Sequence, residues 1–164
     1  FLALFIKIKS LIFIIERLAL NKNIDINIVL HNKYAQLPKK QHDIDIGYDL
    51  YSCNEYELQP GKVTLVETGI SLELPIYVGG FVLPRSGLAA KHSITSINSP
   101  GLIDPGYTGE IKVPLINHSD ENYILKMGER FAQLVLLEVG NASFNIVDNL
   151  NESIRADKGF GSTG

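Results

Sequence analysis

The sequence predicts an all-β domain, a sandwich or a barrel, and three observations carry that expectation. From Asn23 onward the apolar residues recur with a period of two rather than the helical period of about 3.6. The runs they form are short and rich in Ile, Val, Leu and Tyr. Gly, Pro, Asn and Asp bound them.

In chain order, residues 24–28 alternate cleanly, Ile with Asp or Asn, and residues 64–67 and 111–113 do the same. Gly79, Gly80, Phe81, Val82 and Leu83 form a run that leads into Arg85. Residues 123–125 follow a polar turn at 117–122, and residues 133–137 read as a buried strand. Pro114 has no N–H to give a ladder, which predicts an edge or a bulge at that position. One short helix is expected over residues 86–92, just after Arg85, so that its free amides and the guanidinium would face the same anion.

No repeat and no low-complexity linker divides residues 23–164, and the 164-residue chain is long enough to bury one core without staples. Residues 23–148 read as the β domain. Residues 149–164 are polar and glycine-rich with a single aromatic, Phe160, which predicts a flexible C-terminal arm that orders when something binds it. Residues 1–22 are far more apolar, but Lys7, Lys9, Glu16 and Arg17 interrupt them, and no apolar run nears the ~20 residues of a membrane span. They read as an N-terminal extension or a misplaced start, with a processed leader as the alternative.

The lone cysteine, Cys53, excludes a disulfide framework, fits a reduced compartment, and reads as a small apolar filler. A formal net charge of -3 argues against a nucleic-acid binder held by a basic surface. An anionic ligand must therefore be met locally, by Arg85, Arg130, Arg155, Lys158, the amides of glycine turns, and a divalent cation carried in with it.

Within residues 101–110, the Asp104 carboxylate and the Tyr107 ring stand three residues apart on a glycine-rich turn. Four further stretches stand out: Gly47, Tyr48, Asp49 and Leu50; residues 84–89 with Arg85, Ser86 and Gly87; residues 128–134 from Gly128 to Leu134; and the terminal residues 159–164. Taken singly each has a plain structural reading. Asp104 would cap an Asp-Pro-Gly turn, Tyr107 would pack its ring in the core, and Arg85 would be a surface arginine before a helix.

Together and in this order, the five stretches resemble the motifs of the trimeric dUTP pyrophosphatases (dUTPases), and the resemblance covers roughly residues 24–164. It implies a jelly-roll-like β-clip domain that forms a homotrimer with shared active sites. It also implies Mg²⁺-dependent hydrolysis of dUTP to dUMP and pyrophosphate, which limits uracil incorporation into DNA and supplies dUMP for dTTP synthesis.

The same resemblance assigns roles. Asp104 orients and polarises the water that attacks the α-phosphorus. Tyr107 lies against the deoxyribose and leaves no room for a 2′-hydroxyl. Asn98 reads the uracil edge with the main chain of Leu102 and Ile103, and Lys112 contacts nucleotide through its backbone. Arg85, Ser86 and Gly87 bind phosphate from a neighbouring subunit, and Gln133 stands near the α-phosphate. Asp49 reaches the metal only through water, with no direct protein ligand to Mg²⁺. Glu129 and Arg130 form structural pairs at the subunit interface. In the arm, Phe160 stacks on uracil, Gly161 belongs to the same substrate-binding turn, and Arg155, Ser162 and Thr163 reach the γ-phosphate. Ala156 and Lys158 replace glycines usual in the family, which predicts a stiffer arm.

The rivals are a dCTP deaminase, with Glu138 as the source of a catalytic carboxylate, and a β-trimer kept as a non-catalytic binding module. A Ser-His-Asp hydrolase from Ser86, His92 and Asp104 lacks a nucleophile elbow. His31, His42, His92 and His118 show no metal-ligand spacing, and the terminal glycine run lacks a P-loop ending. The expected location is the cytoplasm, or an organelle if residues 1–22 are a processed leader; no membrane or nucleic-acid partner is expected.

Overall fold

The computed structural model describes residues 23–151, which form ten strands and one helix. One antiparallel sheet runs β1 (Asn27–Leu30), β4 (Val63–Glu73), β8 (Glu110–Asn117) and β6 (Ile94–Ser96). A second runs β2 (Tyr48–Tyr51), β10 (Arg130–Glu138), β5 (Val78–Pro84) and β7 (Gly101–Ile103). A small third pairs β3 (Tyr56–Leu58) with β9 (Tyr123–Leu125). From β4 to β8 each successive strand changes sheet, the crossover pattern of a jelly-roll-like domain.

Period-two alternation explains the layers. In β8, Ile111, Val113 and Leu115 are buried while Lys112, Pro114 and Ile116 turn outward. They meet Val66, Ile70 and Leu72 of β4 and, from the other sheet, Leu50, Val82, Ala132 and Leu134 in one contiguous core. Asn117 ends β8 inside the protein. Its amide donates to Leu58 O at 2.8 Å and Glu121 O at 2.7 Å, and its Oδ1 accepts from Ser119 N, so the predicted turn at 117–122 carries no orphaned polar group.

The helix α1 (Ser86–His92) has the bounds read from sequence. In residues 24–28 the alternation is present, since Ile24, Ile26 and Ile28 are half-buried, but ladder pairing starts only at Asn27. Pro114 departs from the expectation of an edge, because β8 lies between β4 and β6. Its carbonyl accepts from Ile97 N at 3.0 Å, just past the end of β6. N–H and C=O of one strand residue point to the same side, so the missing donor faces a place where the neighbouring strand has already ended.

Candidate active site

Two groups of site residues form on this chain. The first surrounds Asp49 on β2. There β10 runs between β2 and β5, so Gln133 pairs with Asp49 on one side and Leu83 on the other. A register shift between Arg130 and Ala132 locally re-aims the strand. Arg130 Nη1 then reaches Asp49 Oδ2 at 3.0 Å, while Arg85, at the N-cap of α1, brings Nε to Asp49 Oδ1 at 3.1 Å. Arg85 Nη1 also donates to Arg130 O at 2.9 Å. Asp49 is only 8% exposed, so two cations hold an almost buried carboxylate, and it in turn fixes the Arg85 fork.

This triad forms one wall of a cleft of ≈ 560 Å³ that Ser86, Gly87 and Gln133 also line. Gln133 is set by Nε2 donating to Pro84 O at 3.0 Å, and a Cβ at Gly47 would stand 2.6 Å from its Oε1. The Nη2 donors of Arg85 have no protein acceptor among the described residues. An arginine fork beside a hydroxyl and helix-start amides suits a phosphate. The loop before Asp49 supplies the opposite wall with Gln41, His42 and Asp45, residues that no sequence motif marks. The His42 amide lowers the Asp45 carboxyl below its ordinary range.

The second group is the turn that carries the chain from β7 in one sheet to β8 in the other. Asp104 is exposed at its tip, and its carbonyl accepts from Tyr107 N at 3.0 Å to close the turn, with Gly106 at φ +90. The Tyr107 ring folds back over the turn: Oη donates to Glu110 O at 3.0 Å, and a Cβ at Gly109 would lie 2.6 Å from that hydroxyl. Asn98 lies in the turn before β7. Its Oδ1 accepts from Ser96 Oγ at 2.8 Å, and its Nδ2 lies 3.2 Å from where a Cβ on Gly101 would stand. Leu102 is exposed and Ile103 buried beside them. Lys112 faces away from this turn, with Nζ 2.6 Å from Glu67 Oε1 and 3.3 Å from Glu110 Oε2. The ion pair holds the Lys112 ammonium above its ordinary pKa and the Glu67 carboxyl below its own.

The groups do not meet. Ile103 pairs with Gly80, so Asp104 continues past that end of β5, whereas Arg85 follows Pro84 at the other. At ~3.4 Å per residue the two are about 17 Å or more apart along the strand.

A model of the dUTPase family matches residues 33–164. The chain belongs to the dUTPase family. It is 46% identical over 140 residues to the deoxyuridine 5'-triphosphate nucleotidohydrolase of Alkaliphilus metalliredigens, covering 85% of this chain and 97% of that one. It is 44% identical to the corresponding enzyme of Clostridium tetani, over 85% of this chain and 96% of that one. Among solved structures, a mutant dUTPase of Staphylococcus bacteriophage 80alpha with dUpNHpp matches with a TM-score of 0.77 at 26% identity, covering 85% of this chain and 98% of that one. A dUTPase from phage phi11 of S. aureus, described with a structural Mg(II) ion, shares the fold at 21% identity and a TM-score of 0.72, covering 78% of this chain and 99% of that one.

Within this dUTPase domain, Glu129 and Arg130 make their pairs inside the chain. Glu129 accepts from Tyr123 Oη at 2.5 Å and from Lys126 N at 3.1 Å. Arg130 clamps Asp49 in the cleft. Ser86, His92 and Asp104 are not brought together: Ser86 and His92 are at opposite ends of α1, and the His92 ring packs 4.6 Å from that of Tyr123. Glu138 is exposed at the end of β10 far from Arg85. Cys53, Glu67 and Glu110 come within 4.8 Å of one another, but the Lys112 ammonium already pairs with both carboxylates, and burial raises the Cys53 thiol pKa. Arg155, Phe160, Gly161, Ser162 and Thr163 lie outside the described residues, as does the segment 1–22. No helix among the described residues is long and apolar enough to cross a membrane.

Proposed function

We infer that this chain is a cytoplasmic dUTP diphosphatase that hydrolyses dUTP to dUMP and pyrophosphate, lowering the dUTP available to DNA synthesis and supplying dUMP for dTTP. One observation carries the reading. The chain carries Asp104 and Tyr107 on the β7–β8 turn and an arginine cleft around Asp49, suited to the nucleoside and the phosphates of one dUTP, and holds them about 17 Å or more apart. The similarity to deoxyuridine 5'-triphosphate nucleotidohydrolases and the dUTP analogue in the phage 80alpha enzyme support the same substrate.

The separation is resolved if three copies assemble so that the cleft of one meets the Asp104 turn of another. The outer face of the first sheet supports self-association. Val63, Leu65 and Ile97 are 51%, 54% and 55% exposed there, with Pro114 and Ile116 beside them. Apolar residues grouped on one sheet face suit an interface between copies.

In the assembled site, the exposed Asp104 carboxylate accepts a hydrogen bond from a water aligned on the α-phosphorus and takes its proton as the new P–O bond forms. The bond from that phosphorus to the bridging oxygen breaks, and pyrophosphate leaves. Arg85 and Gln133 hold phosphate oxygens from a second copy, with Ser86 and Gly87 beside them. Mg²⁺, when bound, supplies positive charge along the triphosphate. The donors fit that role indirectly: both Asp49 oxygens are taken by arginine, leaving a contact through water and no direct ligation. The flat ring of Tyr107 rejects a 2′-hydroxyl, and the Asn98 amide, with the main chain of Leu102 and Ile103, complements the mixed edge of uracil. Lys112 contributes main chain only. The arm, with Arg155 and residues Phe160, Gly161, Ser162 and Thr163, closes the site.

Pyrophosphate release with Mg²⁺ from dUTP, dCTP, dTTP and UTP tests the reading. Release from dUTP alone is expected. Ammonia from dCTP would replace it with a deaminase, and silence with all four would leave a binding module.

A further inference from the structure

The motifs give Glu110 no role, yet it is the point to which the β7–β8 turn is tied. Its carbonyl accepts the Tyr107 hydroxyl at 3.0 Å. Its side chain leaves in the other direction: Oε1 accepts from Gly69 N at 2.9 Å, and Oε2 lies 3.3 Å from Lys112 Nζ. Gly69 is the fixed end of this link. It lies in the register shift of β4 between Glu67 and Ser71, at φ +69, where a Cβ would stand 2.8 Å from that of Ala35. Thr68 Oγ1 beside it donates to Ile111 O at 2.6 Å, so β4 also holds β8 one residue past Glu110. Glu110 is only partly buried, and its carboxylate is fully engaged by a backbone donor and an ammonium.

We propose that Glu110 is a positioning residue that sets where the Tyr107 ring stands, and so sets the discrimination between deoxyribose and ribose, by anchoring the first residue of β8 to the Gly69 bulge. The inference rests on the dUTP-hydrolysis reading. Without the anchor, the turn can pivot at Glu110 and the ring moves with it. The effect falls on substrate selection more than on the chemical step, because a misplaced ring admits the 2′-hydroxyl and loosens the sugar.

The test compares wild type, Glu110→Ala and Glu110→Gln for kcat and KM with dUTP and with UTP. Glu110→Gln keeps an oxygen for the Gly69 N–H, so its dUTP/UTP ratio should stay near wild type. Glu110→Ala should lower that ratio by about ten- to a hundredfold, mainly through a higher KM for dUTP. If the alanine variant does not fold, Glu110→Asp, too short to reach Gly69, serves in its place. An unchanged ratio, or dUTP and UTP rates falling in parallel, overturns the inference while an active wild type leaves the hydrolysis reading intact. A wild type silent with dUTP overturns both.

Discussion

Asp49 and Arg85 meet at 3.1 Å, carboxylate Oδ1 to guanidinium Nε, and the second Asp49 oxygen is held by Arg130 at 3.0 Å. This geometry aims Arg85 into the cleft. Asp49→Asn should leave two arginines without their counter-charge. A fully buried pair broken this way costs ~3–5 kcal/mol, and because both arginines keep some solvent we expect about 1–3 kcal/mol here. The urea midpoint measures the stability loss, and KM for dUTP should rise with it. A variant with wild-type stability would show that the clamp is incidental.

Asp104 makes no side-chain bond among the described residues that an amide would disturb, since its turn is closed by its carbonyl. Asp104→Asn should therefore fold and bind dUTP with an affinity within a few-fold of wild type, while kcat falls by about 10²–10⁴. Equilibrium binding beside single-turnover rates separates the two effects.

Gly69 and Gly61 both have positive φ, +69 and +67, but a Cβ at Gly61 meets nothing within 4 Å, whereas one at Gly69 would stand 2.8 Å from the Ala35 Cβ. Gly61→Ala should cost only the left-handed backbone penalty, about 1–2 kcal/mol. Gly69→Ala should cost visibly more, because Ala35 and Cys53 must move as well. Thermal melts of both variants report the steric part as the difference.

Burial first, and then the hydrogen bond to Glu129, push the Tyr123 hydroxyl up to about 12 from 10.0. A raised pKa stabilises the fold fully below the unfolded value, so stability should fall as pH climbs from about 10 through about 12. Tyrosinate absorbance should show one tyrosine titrating late in the folded protein, and Tyr123→Phe should remove that step and the associated loss of stability.

Sequence alone carried the fold class and the helix bounds, because a period of two and an arginine-led helix start are local signals. The strands β2, β3, β6 and β7 are three or four residues long, too short to display a period, and none was legible as a strand of its own. Only residues 64–67 of the 11-residue β4 were read, since the bulge at Gly69 breaks its alternation. In the site, Asp104, Tyr107, Asn98 and Arg85 were marked by residue type in ordered motifs. Asp49 and Arg130 lay in marked stretches too, but their pairing was not legible: Asp49 and Arg130 are 81 residues apart, Arg85 and Arg130 are 45 apart, and only sheet pairing joins them. The anchoring of the β7–β8 turn through Glu110 and Gly69 likewise depends on a register shift that no local pattern encodes.

The apolar face of Val63 and Leu65 gives the proposed trimer a checkable surface. Leu65→Glu should place a charge opposite Pro114 and lower the assembly's mass in sedimentation, with activity lost in step although each chain keeps its core.

In the proposed trimer, one site draws Asp104 and Arg85 from different copies of the chain. Asp104→Asn and Arg85→Ala chains, each inactive alone, can be coexpressed in equal amounts and assayed for pyrophosphate release from dUTP. Random assortment into closed trimers should restore about one quarter of the sites, and activity should recover to about that fraction of wild type. Activity no greater than the two parents would mean that both residues serve a site within one chain, and would contradict the shared site.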